Sequence, residues 1–131
     1  MTSAQGTSAR SDSLIEYGSL GAEMIAVERQ RQKDAEGWTP EHDDEHTLGE
    51  LAAAAACYAL INTRWKDAAI LGEPLIASIL WPWEREWYKP AEYPDPPYGP
   101  NLHIDRRVKD LVRAGALIAA EIDRLERQRR G

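Results

Sequence analysis

An apolar stripe of Ile104, Val108, Leu111, Gly115, Ile118, Ile122 and Leu125, stepping alternately by four and three residues, dominates the C-terminal part of the chain. This spacing predicts one amphipathic helix from about Ile104 to Arg130. At ~1.5 Å per residue such a helix spans roughly 40 Å, longer than a compact domain of this size needs, which leaves its end to project into solvent or onto a second subunit. Arg124, Arg127, Arg129 and Arg130 near its end complement the helix dipole. The stripe extends past what a short neighbouring helix can cover. A homo-oligomer, most simply a dimer, is therefore expected, built partly through this helix.

The remaining periodicity is also helical. Ser19 to about Ala35 places Leu20, Met24 and Val27 on one stripe and Ile25, Glu28, Gln32 and Ala35 on the next, with Gly37 as a stop signal. Thr39-Pro40 suits an N-cap followed by Pro at the first helical position of a short turn. Thr47-Leu48-Gly49-Glu50 has the S/T-x-x-E spacing of a capping box, which predicts a helix from Leu48 to about Asn62. Its five alanines, Ala52 to Ala56, favour helix and let a neighbour approach closely. Glu73-Pro74 can open a short helix through Leu80, followed by the aromatic run Trp81 to Pro90, in which Trp83 and Trp87 stand one helical turn apart, and a proline-rich loop from Glu92 to Asn101. No alternating strand pattern occurs. The expected fold is an all-α bundle of about four main helices with a long C-terminal helix and a Pro/Trp-rich connection; residues 1–13 are expected to form a disordered tail and 14–131 a single helical domain.

Composition narrows the function. A chain of 131 residues supports one core. Its net charge of −6 disfavours a duplex nucleic acid partner, so an anionic ligand needs a local basic patch or a bound cation. The single cysteine, Cys57, lies among alanines and reads as a buried structural residue. The first residues lack the apolar core of a signal peptide, and no segment approaches the roughly 20 apolar residues of a membrane span, so the expected location is cytoplasmic with no membrane partner.

Three groups of side chains can carry chemistry. His42, Asp43, Asp44, Glu45 and His46, followed by Glu50, form the densest set of metal-ligand types; His42 and His46 share a helical face that permits zinc, while oxygen-rich coordination favours magnesium. The alternative is a solvated acidic helix start. Glu28, Glu50 and Asp110 border the core on three separate helices. Asp110, Ala114, Leu117 and Glu121 form a stripe beside the heptad seam, where ordinary pairing of Asp110 with Arg106 or Arg113, and of Glu121 with Arg124, is the competing reading. Among the tryptophans, Trp38, Trp83 and Trp87 are candidates for a nucleobase face, with core packing as the alternative, and Lys89, Arg106 and Arg113 can meet phosphate. No P-loop, G-x-G-x-x-G or G-x-S-x-G is present.

Gly37-Trp38-Thr39-Pro40-Glu41-His42-Asp43-Asp44, Gly49-Glu50-Leu51-Ala52, Trp81-Pro82-Trp83 and Asp110-Leu111-Val112-Arg113-Ala114-Gly115-Ala116-Leu117-Ile118 together resemble a family of small phage- and prophage-encoded proteins over roughly residues 20–126. That family is similar to the all-α nucleoside triphosphate pyrophosphohydrolases of the MazG type. The resemblance implies an oligomeric helical bundle that holds Mg2+ with carboxylates and splits nucleoside triphosphates to monophosphate and pyrophosphate. Where the MazG type carries E-x-x-E and then E-x-x-D, this chain has Arg31 three residues after Glu28 and Ala53 three residues after Glu50.

The leading expectation is magnesium-dependent nucleotide binding or pyrophosphohydrolysis, with Glu28, Glu50 and Asp110 on the metal, a carboxylate from residues 42–46 completing the shell, and Trp38, Trp83, Trp87, Lys89, Arg106, Arg113 and Glu121 contacting ligand. A non-catalytic sponge for a nucleotide immune signal is the second reading. A protein-binding or structural accessory role is the third.

Overall fold

A computed structural model describes residues 18–61, 79–91 and 104–131 of the chain. The expected N-terminal tail, the Glu73-Pro74 helix start and the Glu92 to Asn101 loop lie outside these residues. Those described are helical with no strand, the all-α architecture expected from the periodicity. We number the helices α1 (Leu20–Ala35), α2 (Pro40–Asp43), α3 (Glu50–Leu60) and α4 (Ile104–Arg130). A 3-10 turn, Arg85–Trp87, lies between α3 and α4 in sequence.

Side-chain chemistry sets the starts of α1 and α2. Ser19 Oγ accepts from the Ala22 N–H at 3.1 Å, and Thr39 Oγ1 from the His42 N–H at 3.3 Å with Pro40 at the first helical position. After α1, Gly37 adopts a φ of 73° and turns the chain so that the Trp38 N–H reaches back to the Gln32 carbonyl at 3.1 Å. The start of α3 corrects the capping-box expectation. The helix begins at Glu50, not Leu48, because Gly49 takes a left-handed φ of 87° that cannot continue a right-handed helix. Glu50 Oε1 then accepts from the Leu48 N–H at 2.6 Å, and Thr47 does not act as the cap.

Helix α4 is the common wall on which α1, α2 and α3 all pack. Its buried residues include Asp110, Ala114, Leu117, Ala120 and Arg124, one stripe around from the heptad seam. These meet Leu51, Ala54, Ala55, Cys57 and Tyr58 of α3, with Trp81 and Tyr88 closing the core. Burying a leucine such as Leu51 or Leu117 contributes about 1.5–3 kcal/mol, and the alanines between them let the two helices approach closely. Gly115 serves the same purpose towards α1: a Cβ there would collide with Cδ1 of Ile25 and lie 2.7 Å from its Cγ1. The seam residues Ile104, Leu111, Ile118, Ile122 and Leu125 remain exposed.

Polar contacts complete the frame. Arg124 is clamped by both oxygens of Glu121 at 2.7 and 3.1 Å, the intrahelical pairing that the spacing allowed. Arg107 donates to the Ile61 carbonyl at the end of α3. Arg127 holds Asp44 at 2.7 Å and the Pro40 carbonyl at 3.2 Å, which fixes α2 against the C-terminal part of α4. Among the described residues, no helix is long and apolar enough to cross a membrane.

Candidate functional site

The segment 81–91 crosses the bundle as an extended strap, and its main chain is fixed at several points. Trp81 Nε1 and the Trp87 N–H both donate to the Glu84 carbonyl at 3.0 Å. The Lys89 N–H donates to Tyr58 Oη at 3.0 Å, and Arg113 donates to the Lys89 carbonyl while its guanidinium lies 5.7 Å from the Tyr58 ring. Burial pushes the Tyr58 hydroxyl above its ordinary pKa, against the lowering effect of the Lys89 N–H, so it stays protonated at neutral pH. The Ala91 N–H donates to Asp110 Oδ1 at 2.8 Å. Asp110, fully buried, thus supports the strap with one of its oxygens.

A run of rings follows this strap back to α2. Trp38 stacks on His42 at 6.0 Å and 3°, His42 meets His46 edge-on at 5.0 Å, His46 meets Trp83 at 5.2 Å, and Trp83 meets Trp81 at 5.3 Å. Trp81 belongs to the core, Trp38 and Trp83 are half-buried, and Trp87 is 55% exposed. Trp83 and Trp87 do not share a helical face: only Arg85–Trp87 is helical, as a single 3-10 turn. The proline at 82 and the fixed Glu84 carbonyl explain this, since they set an extended entry into the turn.

These rings line one end of a groove. A cleft of about 500 Å³ is bounded by Trp38, His42, His46, Trp83, Trp87 and Pro82, with the carboxylates of Glu36 and Glu84 at its rim. Next to it, sharing Glu36, Trp38 and Trp87, a pocket of about 60 Å³ is lined by Arg31, Lys89, Arg113, Gln32 and Glu28. A shallower cleft of about 580 Å³ continues past Arg113 towards Met24, Val108, Lys109 and Val112. The groove therefore has an aromatic, acid-rimmed end and a cation-bearing middle. Arg31 is held there by both oxygens of Glu28, at 2.8 and 2.9 Å, and by Glu36 at 3.2 Å. Lys89 and Arg113 have no carboxylate partner among the described residues.

No family model, curated protein or solved structure matches the chain.

Glu28, Glu50 and Asp110 are not brought to one point. Glu50 accepts from Leu48, stands 3.5 Å from His46 and acts on Arg124, fourteen residues and roughly 20 Å along α4 from Asp110. Burial raises the Glu50 carboxyl, but backbone N–H donors and His46 outweigh it and leave the pKa below the ordinary value. Asp43 is buried against Arg29, and Asp44 faces Arg127. Among the described residues, no group of three His, Cys, Asp or Glu side chains is placed to hold a metal ion. These carboxylates do not fit a shared magnesium site.

Of the expected ligand contacts, Trp38, Trp83, Trp87, Lys89 and Arg113 come together along the groove, whereas Arg106 and Glu121 line none of its three parts. Sequence reasoning missed Arg31, Glu36, Tyr58 and Glu84. Tyr58 had a usable signal, sitting at the end of the alanine helix with a hydroxyl that must find a partner when buried. Glu84 had none, because its place depends on the non-helical course of the strap.

Proposed function

We propose that the protein binds a nucleotide in this groove and holds it without cleaving it. The observation that carries this reading is the shared wall of Trp38 and Trp87, which places a base-stacking face directly beside the cations Lys89 and Arg113. Base–aromatic stacking contributes about 1–3 kcal/mol per base, and a guanidinium offers phosphate two parallel donors. The net negative charge of the chain is overcome locally, because the two carboxylates that line the pocket with these cations, Glu28 and Glu36, are both engaged by Arg31.

Binding is favoured over pyrophosphohydrolysis by the separate partners of Glu28, Glu50 and Asp110: among the described residues no three carboxylate, imidazole or thiol groups are gathered where they could hold a metal. In a phage setting, a protein of this kind sequesters a nucleotide signal. Incubation with a panel of nucleoside triphosphates, with and without magnesium, tests the reading. A ligand at 100 times its Kd should stabilise the fold by about 2.7 kcal/mol and be recovered chemically intact after heat denaturation. Release of pyrophosphate would establish the enzyme instead, and a panel with no thermal shift would reject nucleotide binding.

A further inference from the structure

We infer that the aromatic end of the groove selects guanine, with the Glu84 carboxylate reading the base; the inference rests on the nucleotide-binding reading above. Glu36 and Glu84 line the aromatic cleft; Glu36 also lines the adjoining pocket, where it and Glu28 are taken by Arg31, so that Lys89 and Arg113 are the cations left without a carboxylate there. This polarity orients a nucleotide, phosphate towards the cations and the donor-rich edge of the base towards the acids.

Of the two acids, Glu36 is occupied by Arg31 at 3.2 Å. Glu84 has no hydrogen bond or ion pair through its carboxylate among the described residues. Its backbone is nevertheless fixed, since its carbonyl takes both Trp81 Nε1 and the Trp87 N–H at 3.0 Å. The side chain therefore leaves from a set point between two tryptophans of the cleft, Trp83 and Trp87.

A carboxylate accepts hydrogen bonds and donates none at neutral pH. Guanine alone of the four common bases presents two adjacent N–H donors, at N1 and N2, which match the two carboxylate oxygens side by side. Adenine and cytosine each set a ring-nitrogen acceptor beside their single amino group. Uracil flanks its one N–H with two carbonyls. Each of these three would place an acceptor against the negative oxygens, and the lost pairing is what discriminates.

Calorimetric titration of the full chain with GTP, ITP, ATP, CTP and UTP tests the inference, for wild type and Glu84→Gln. Glu84 is exposed and is anchored by its main chain, so the substitution leaves the fold in place. We expect GTP to bind at least tenfold more tightly than ATP, CTP or UTP, with ITP, which lacks the N2 amino group, in between. Glu84→Gln should abolish the GTP preference, and, because its amide sets a donor beside an acceptor as the adenine edge does, should leave ATP affinity equal or higher. Equal affinities for all five, or a preference that survives Glu84→Gln, would overturn the base assignment alone. Failure of all five to bind would overturn the groove reading together with it.

Discussion

Arg29 and Asp43 form an ion pair sealed within the bundle, their side chains keeping 7% and 0% of full exposure. Arg29 also donates to the Trp38 carbonyl at 3.3 Å, and His42 Nδ1 lies 3.2 Å from the second Asp43 oxygen. One buried pair thus joins α1 to α2 and sets the Trp38 and His42 walls of the cleft. Removing one partner strands the other charge away from water, so Asp43→Ala is expected to cost about 3–5 kcal/mol. The double replacement Arg29→Met with Asp43→Leu should cost clearly less than the single change. Urea denaturation of the three proteins checks this, and a double variant no more stable than Asp43→Ala would contradict it.

The contrast between Asp43 and α4 shows what the sequence could reveal. The limits of α4 are read directly from its repeating apolar positions and arginine-rich end, because local periodicity and helix capping are short-range properties. The Thr39-Pro40 cap, and the start of α1 near Ser19, were legible for the same reason. The capping box failed because one glycine, Gly49, took a left-handed conformation that the S/T-x-x-E spacing does not register. The inward face of α4 was harder to read. Its most regular apolar stripe is largely exposed, while the adjacent stripe with Asp110, Ala114 and Leu117 is buried, since small residues permit the closer helix contact. In the site, Trp38, Trp83, Trp87, Lys89 and Arg113 were identifiable by residue type. The partners of Asp43, Asp44 and Asp110 were not, because each lies on another part of the chain: Arg29, Arg127 and the Ala91 N–H.

The Asp44–Arg127 contact makes stability pH-dependent on the acid side. The hydrogen bond from Arg127 holds the Asp44 carboxyl below its ordinary value of 3.8; burial opposes this, and the charges of Arg127 and Arg124 reinforce it. A carboxyl with a depressed folded pKa stabilises the fold above its unfolded value, and that contribution fades as pH falls through the folded one. Arg127→Met should therefore flatten the fall in Tm below about pH 4. Melting curves from pH 2 to 7 that superimpose in shape for the two proteins would contradict the assignment.

Gly115 permits α1 and α4 to touch at Ile25. Gly115→Ala gains up to about 1 kcal/mol of helix propensity but overpacks the contact at about 1–3 kcal/mol, so a net loss of roughly 0–2 kcal/mol is expected. Adding Ile25→Ala removes every atom that the new methyl would meet. In a double-mutant cycle the two changes should couple favourably by at least about 0.5 kcal/mol, and strict additivity would show that the helices do not meet there.

The exposed seam of α4, Ile104, Leu111, Ile118, Ile122 and Leu125, predicts pairing with a second copy, as its seven-residue repeat suits a like helix. Light scattering after size exclusion should give twice the mass of one chain at micromolar concentration, falling to one chain in Ile118→Glu with helicity retained. A wild-type mass of one chain would reject the pairing.

In the proposed complex, Lys89 and Arg113 bind the phosphates of a nucleotide whose base lies against Trp38 and Trp87. It is tested most directly by calorimetric titration of a nucleoside triphosphate into wild type and the Lys89→Gln, Arg113→Gln double variant. The account predicts saturable binding of one ligand per chain, weakened by added salt, and at least tenfold weaker in the double variant. No saturable heat with any nucleoside triphosphate, or equal affinity in the two proteins, would contradict it.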